Sequence, residues 1–106
     1  MSEALTHGGI ANDTNVKIHW IDSENIKTKK DISLLKSMSG ILIPGGFGKR
    51  GSEGKILAIN YARVNKIPFF GICFGMQLAV IEAARNLAKI DNANSSELTN
   101  TKNPVV

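Results

Sequence analysis

IPFFGICFGMQLAVIEAARNLA, residues 67–88, passes from a short apolar run into an apolar helical pattern, and the only cysteine of the chain stands at the junction. The run IPFFGI reads as a buried strand, the kind found in parallel sheets. GMQLAVIEAARNLAKI, residues 75–90, predicts a helix that is apolar over most of its circumference. Cys73 lies between them, with Gly71 two residues before and Gly75 two after. A thiol that only fills a core needs no such glycines. A nucleophile on a sharp strand-to-helix turn does, because the turn is strained and the helix must come close. It also faces the positive end of the helix, which favours the thiolate that attacks carbonyl carbon. The other reading of a lone cysteine is an inert small hydrophobe; the flanking glycines favour the nucleophile.

Working outward, GILIP (residues 40–44) is a second brief apolar run and predicts another strand buried on both faces. GGFGKRGSEG follows as a glycine-rich loop, with Ser52 as the expected N-cap of the next helix. In KILAINYARVNK, Leu57, Tyr61 and Val64 recur at helical spacing and predict one amphipathic stripe. Further upstream, DISLLKSM sets Ile32, Leu35 and Met38 at helix-like spacing, and NVKIHWID alternates Val16, Ile18 and Trp20 against Lys17 and His19 as a strand would. SEALTH reads as a short helix closed by Gly8-Gly9. The tail NANSSELTNTKNPVV is polar and loop-like.

The expected order is thus α-β-α-β-α-β-α. It predicts an α/β fold, a doubly wound (flavodoxin-like) parallel sheet with helices on both faces. Such a sheet usually opens on a central strand, and this chain opens on a helix. Residues 1–106 therefore read as an incomplete domain. In this fold ligands gather at the carboxyl ends of the strands. Both the glycine pair after ILIP and Cys73 fall on that edge. The N–H of Gly46 and that of Phe74 can there form an oxyanion hole, although a plain tight turn has the same spacing.

Composition narrows the classes. With 42% apolar and 21% charged residues the chain is an ordinary globular one. No apolar run nears the roughly 20 residues of a membrane helix, and MSEALTHGG lacks the features of a secretory signal. One cysteine and two histidines offer neither a disulfide nor metal-site spacing, so no metal is expected and a cytoplasmic location fits. The net charge of +4 and the run KTKKD (residues 27–31) raise a nucleic-acid surface. Aromatics are only 6% and none interleaves with that run, which favours a solvated face. Neither nucleic acid nor membrane is an expected partner.

Taken together, GICFGMQ and PGG resemble the nucleophile motif and oxyanion strand of the class I glutamine amidotransferases. With PGGFGKRGSEGK, EALTHGG and NANSSE, the chain is similar, from Ser2 to Val106, to the CTP synthase branch of that family. The resemblance implies that Cys73 attacks the glutamine amide, forms a thioester and frees ammonia for a separate synthase domain. There UTP would become CTP, a ligase step of pyrimidine biosynthesis using ATP and Mg2+. It also implies that Gly46, Phe74, Gly75, Met76 and Gln77 contact glutamine and that Glu97 holds its amino group. Phe47 and Arg50 would meet the activator GTP, and the full enzyme would be a homotetramer. On residue type alone, Phe47 and Arg50 suit a solvated lid and Glu97 a surface carboxylate.

The family's His-x-Glu pair, which supplies base and orienting carboxylate, has no counterpart here, since no histidine follows His19. His7 and His19 fit structural or solvated roles. A cysteine without its base keeps a few per cent thiolate at neutral pH. These residues alone are therefore expected to be inactive. Other readings are a non-catalytic remnant or binding module of the same fold, or another α/β cysteine hydrolase using His7 or His19.

Overall fold

The computed structural model describes residues 1–46 and 49–106. Two parallel strands, β1 (Ile41–Ile43) and β2 (Phe69–Gly71), flank the crossover helix α2 (Ser52–Val64), and β2 leads into α3 (Phe74–Asn86). A further helix, α1 (Ser2–Ala11), opens the chain. The strands pair Ile41 with Phe69, Leu42 with Phe70 and Ile43 with Gly71. The ladder runs on at both ends, with Ile41 N–H donating to Pro68 O and Ile72 N–H to Ile43 O, each at 2.9 Å. A parallel pair joined by a helix is the α/β arrangement expected.

One core lies between the sheet and the two long helices. Ile43, Ile56, Ile59, Phe74, Leu78 and Ile81 form it, with Ile41 and Phe69 packed against it. Leu78 and Ile81 are fully enclosed, and burying side chains of this size stabilises a fold by about 1.5–3 kcal/mol each. Strand side chains alternate between faces, so Leu42 and Phe70 point the other way, and Phe70 is 62% exposed. Both long helices therefore cover one face of this sheet. The other stays open among the described residues.

Several expected elements differ. Residues 15–22 form no strand, and Trp20 is 74% exposed. Alternation sorts side chains, but a strand also needs a neighbour to take its backbone hydrogen bonds, and none of the described strands lies beside this segment. Helix α1 is not closed by Gly8-Gly9 but runs through them. A Cβ on Gly9 would lie 2.5 Å from Thr14 O and 2.8 Å from Val16 Cγ2, so this glycine admits the chain folding back over the helix. The DISLLKSM helix appears as a 3₁₀ helix shifted to Lys29–Leu35, begun by a capping box of Thr28 and Asp31. Asp31 accepts from the N–H groups of Lys27 and Thr28, which hold its carboxyl below its ordinary pKa.

At α2 the N-cap is Gly51, not Ser52, which is the first helical residue. Gly51 sits at φ 72°, and a side chain there would strike Ser23 Oγ at 2.3 Å. The expected stripe of α2 is also displaced. Ile56, Ala58, Ile59 and Ala62 are buried while Val64 is 61% exposed. Leu57 and Tyr61 only flank a second cluster of Ile26, Leu35 and Ala58. The helix packs on two sides at once, so no single stripe describes it.

The tail is irregular, as its composition suggested, but docked. Ala93 and Ser95 are buried, and Leu98 and Val105 pack on the main core. An isolated bridge joins Asn94 to Pro104.

Candidate active site

Cys73 is exposed and stands between the end of β2 and the first turn of α3, with φ 54° and ψ −107°. This is the mirror image of an extended conformation, a region that glycine enters freely and side chains resist. Strain of this kind persists only where the surroundings impose it. The surroundings here are backbone. A Cβ on Gly75 would fall 2.2 Å from Ile43 O, and one on Gly71 would fall 2.8 Å from the Gly75 carbonyl carbon. Gly75 N–H donates to Ile72 O at 2.9 Å, and Gln77 N–H to Cys73 O at 3.1 Å. Both glycines of the G-x-C-x-G pattern are thus required by contact.

The glycine pair after β1 meets this corner. A Cβ on Gly45 would touch Cys73 Cβ at 3.3 Å, while at Gly46 the same position opens into free space. Phe74 turns its ring into the core, under Lys55 Nζ at 5.4 Å from the ring centre, and offers the site only its main chain. Its N–H belongs to the first turn of α3, whose donors have no partner within the helix. Met76 is exposed and Gln77 half-buried on the same turn. Nucleophile, helix N-terminus and glycine backbone therefore share one sheet edge. That set can attack a carbonyl and stabilise the oxyanion that results.

The profile of the class-I glutamine amidotransferases matches residues 1–105. The chain belongs to the class-I glutamine amidotransferases. Among similar sequences, this amidotransferase chain is 58% identical to a CTP synthase of Bartonella henselae over 106 residues, all of this chain and 20% of that protein. It is 60% identical to one of Sinorhizobium medicae over 104 residues, 98% of this chain and 19% of the relative. It superposes with a TM-score of 0.85 and 40% identity on the glutaminase domain of Trypanosoma brucei CTPS with bound acivicin, covering 91% of this chain and 38% of that one. The chain spans about a fifth of the length of the curated relatives it matches.

Two further expected site residues, Glu97 and Arg50, stand on segments other than the β2–α3 turn. Glu97 is exposed in the docked tail, and its N–H donates to Ser95 Oγ at 3.1 Å. Arg50 is exposed ahead of α2 and ion-paired with Glu24, whose pKa the hydrogen bond from Arg50 lowers. Phe47 lies outside the described residues. Beside Arg50 an open groove of about 650 Å³ is lined by Lys27, Lys49, Gly51, Glu53, Asn94 and Leu98, among others. His7 and His19 are both exposed, and among the described residues neither hydrogen-bonds Cys73. No group of metal-ligating side chains is gathered among the described residues.

Two polar clusters escaped the sequence reading. Glu82 on α3 is 1% exposed and accepts from Arg63 and Asn60 of α2 and from Asn86. Burial raises its pKa, but hydrogen bonds from Arg63 and Asn60 prevail and hold it below its ordinary value. Arg85 joins α3 to Glu53 and to the tail at Ala93. The signal was present: Glu82 and Arg85 are charges inside a helix that is otherwise apolar, and a buried charge needs partners.

Proposed function

We propose that this chain is the nucleophile-bearing part of a CTP synthase glutaminase. The observation that carries the reading is Cys73 held at positive φ by two glycines that cannot be replaced without backbone collision. The thiolate attacks the amide carbonyl of glutamine, and the oxyanion accepts from the N–H groups of Gly46 and Phe74. The C–N bond then breaks, the nitrogen takes a proton and leaves as ammonia, and water later cleaves the thioester to glutamate. Gly75, Met76 and Gln77 line the bound side chain, and Glu97 pairs with the α-amino group.

The proton carrier comes from outside these residues, since no histidine follows His19. In the whole protein the ammonia aminates UTP, with ATP and Mg2+ held by a synthase domain. The groove beside Arg50 offers Lys27 and Lys49 to the anionic activator GTP, against the carboxylates of Glu24 and Glu53 that also line it, and Arg50 at its margin is held by Glu24. Assembly as a homotetramer in the cytoplasm completes the reading. No helix of the described residues is long and apolar enough to cross a membrane.

The test is covalent labelling of the purified chain by acivicin, located by mass spectrometry, beside an assay of ammonia release. The expected outcome is an adduct on Cys73 that excess glutamine suppresses and Cys73→Ala abolishes, with no ammonia above the control. Labelling indifferent to glutamine would overturn the glutamine site. Turnover lost in Cys73→Ala would show that the base lies within these residues.

A further inference from the structure

We infer that Arg85 is a positioning residue for glutamine, one that fixes the tail segment carrying Glu97 to the helix carrying Cys73. The inference rests on the reading of Glu97 as partner of the α-amino group. Arg85 lies in the last turn of α3, and its guanidinium spends its donors on two other pieces of chain. Nε donates to Ala93 O at 2.7 Å, while Nη1 and Nη2 donate to Glu53 Oε2 and Oε1 at 3.0 and 3.2 Å. Glu53 is in the first turn of α2, the helix that follows the Gly45-Gly46 loop. Helix α3, the tail and the first turn of α2 thus meet at one side chain.

From Ala93 the fixation passes to Glu97 without a free step. Ala93 and Ser95 are buried. Ser95 Oγ accepts from Glu97 N–H at 3.1 Å, and Ser95 O accepts from the N–H groups of Leu98 at 3.1 Å and Thr99 at 3.2 Å. Moving Ala93 O therefore moves the turn on which Glu97 sits.

The geometry separates positioning from stability. Glu53 is 67% exposed, and an ion pair open to water adds little to the folding free energy. The tail is held independently by Leu98 and Val105, which pack on the main core, and at its start by Ile90 N–H donating to Ala84 O at 3.0 Å. Loss of Arg85 should shift the tail without releasing it. A lysine cannot replace it, because an ammonium lacks the planar fork that meets a carboxylate and a carbonyl together.

The experiment compares the rates at which Cys73 is labelled by acivicin, which needs the amino-acid subsite, and by iodoacetamide, which does not. Arg85→Lys is expected to lower the ratio of the two rates about 10-fold, since small misplacements of binding groups are costly. Glu97→Gln should do the same, with iodoacetamide rate and melting temperature unchanged in both. Glu53→Gln, an exposed substitution that keeps the fold if Arg85→Lys does not, should lower the ratio in the same direction.

A wild-type ratio in Arg85→Lys and Glu53→Gln, with the ratio reduced in Glu97→Gln, would overturn the positioning role and leave the Glu97 reading standing. A wild-type ratio in Glu97→Gln would overturn that reading and this inference with it. A fall in both labelling rates together would mark Arg85 as a support of the cysteine turn instead, and would also overturn the proposal.

Discussion

Cys73 carries backbone strain that its own side chain opposes, at φ 54° and ψ −107°. Glycine accepts this conformation without penalty. Cys73→Gly is therefore expected to raise stability by about 1–3 kcal/mol while abolishing labelling, and Cys73→Ala to abolish labelling with little gain. Thermal melts of the two variants against the parent check this. At Gly75 the sign reverses. A methyl group 2.2 Å from Ile43 O must push α3 off β1, so Gly75→Ala is expected to cost about 1–3 kcal/mol and to slow iodoacetamide at Cys73. Both effects were legible in the G-x-C-x-G spacing, because a steric requirement on the backbone is written directly in residue type. Arg85 was not legible in that way. Its partners, Glu53 and the carbonyl of Ala93, are set by how three segments meet.

At the scale of elements, α2 and α3 are joined by packing and by one buried carboxylate. Leu78 is fully enclosed in the core they share, and Leu78→Ala is expected to lose about 2–5 kcal/mol in denaturant unfolding. Glu82 gives the same contact a pH dependence. Its pKa is lowered in the fold from an ordinary 4.5. Its stabilising contribution is thus fully present above about pH 4.5 and is lost as pH falls through the depressed folded value. Melting temperature is expected to drop over that acid range, and the gap between the parent and Glu82→Gln to narrow as it does. A gap constant from pH 7 to pH 3 would contradict this. The helices α2 and α3 were readable from periodicity, whereas the buried face of α2 was not. Leu57, Tyr61 and Val64 fit a helical stripe, but α2 touches two clusters, and Ile56 and Ile59 take the main core.

The whole molecule measures 47 × 26 × 24 Å with a radius of gyration of 14.4 Å, above the roughly 13 Å of a compact chain of 100 residues. The open sheet face bears half-buried Leu42 beside exposed Phe70 in register, an apolar pair next to strand edges that invite pairing. Phe70→Lys is expected to reduce self-association in light scattering, leaving the melting temperature within about a degree, because that side chain is already 62% exposed. Residues 15–22 form no strand because no described strand lies beside them to take their backbone hydrogen bonds. Alternation of Val16, Ile18 and Trp20 records which side chains prefer a common face, but strand formation depends on a partner that sequence pattern cannot supply. The sequence by itself determined the alternation of strand and helix around Cys73, the glycines that make its turn, and the family, since each depends on residue type at short spacing. Only the tertiary structure decided which face of α2 is buried, that the polar tail docks, and that Arg85 ties it to α3. Those outcomes depend on surfaces brought together from distant parts of the chain, and neither periodicity nor composition encodes where such surfaces meet.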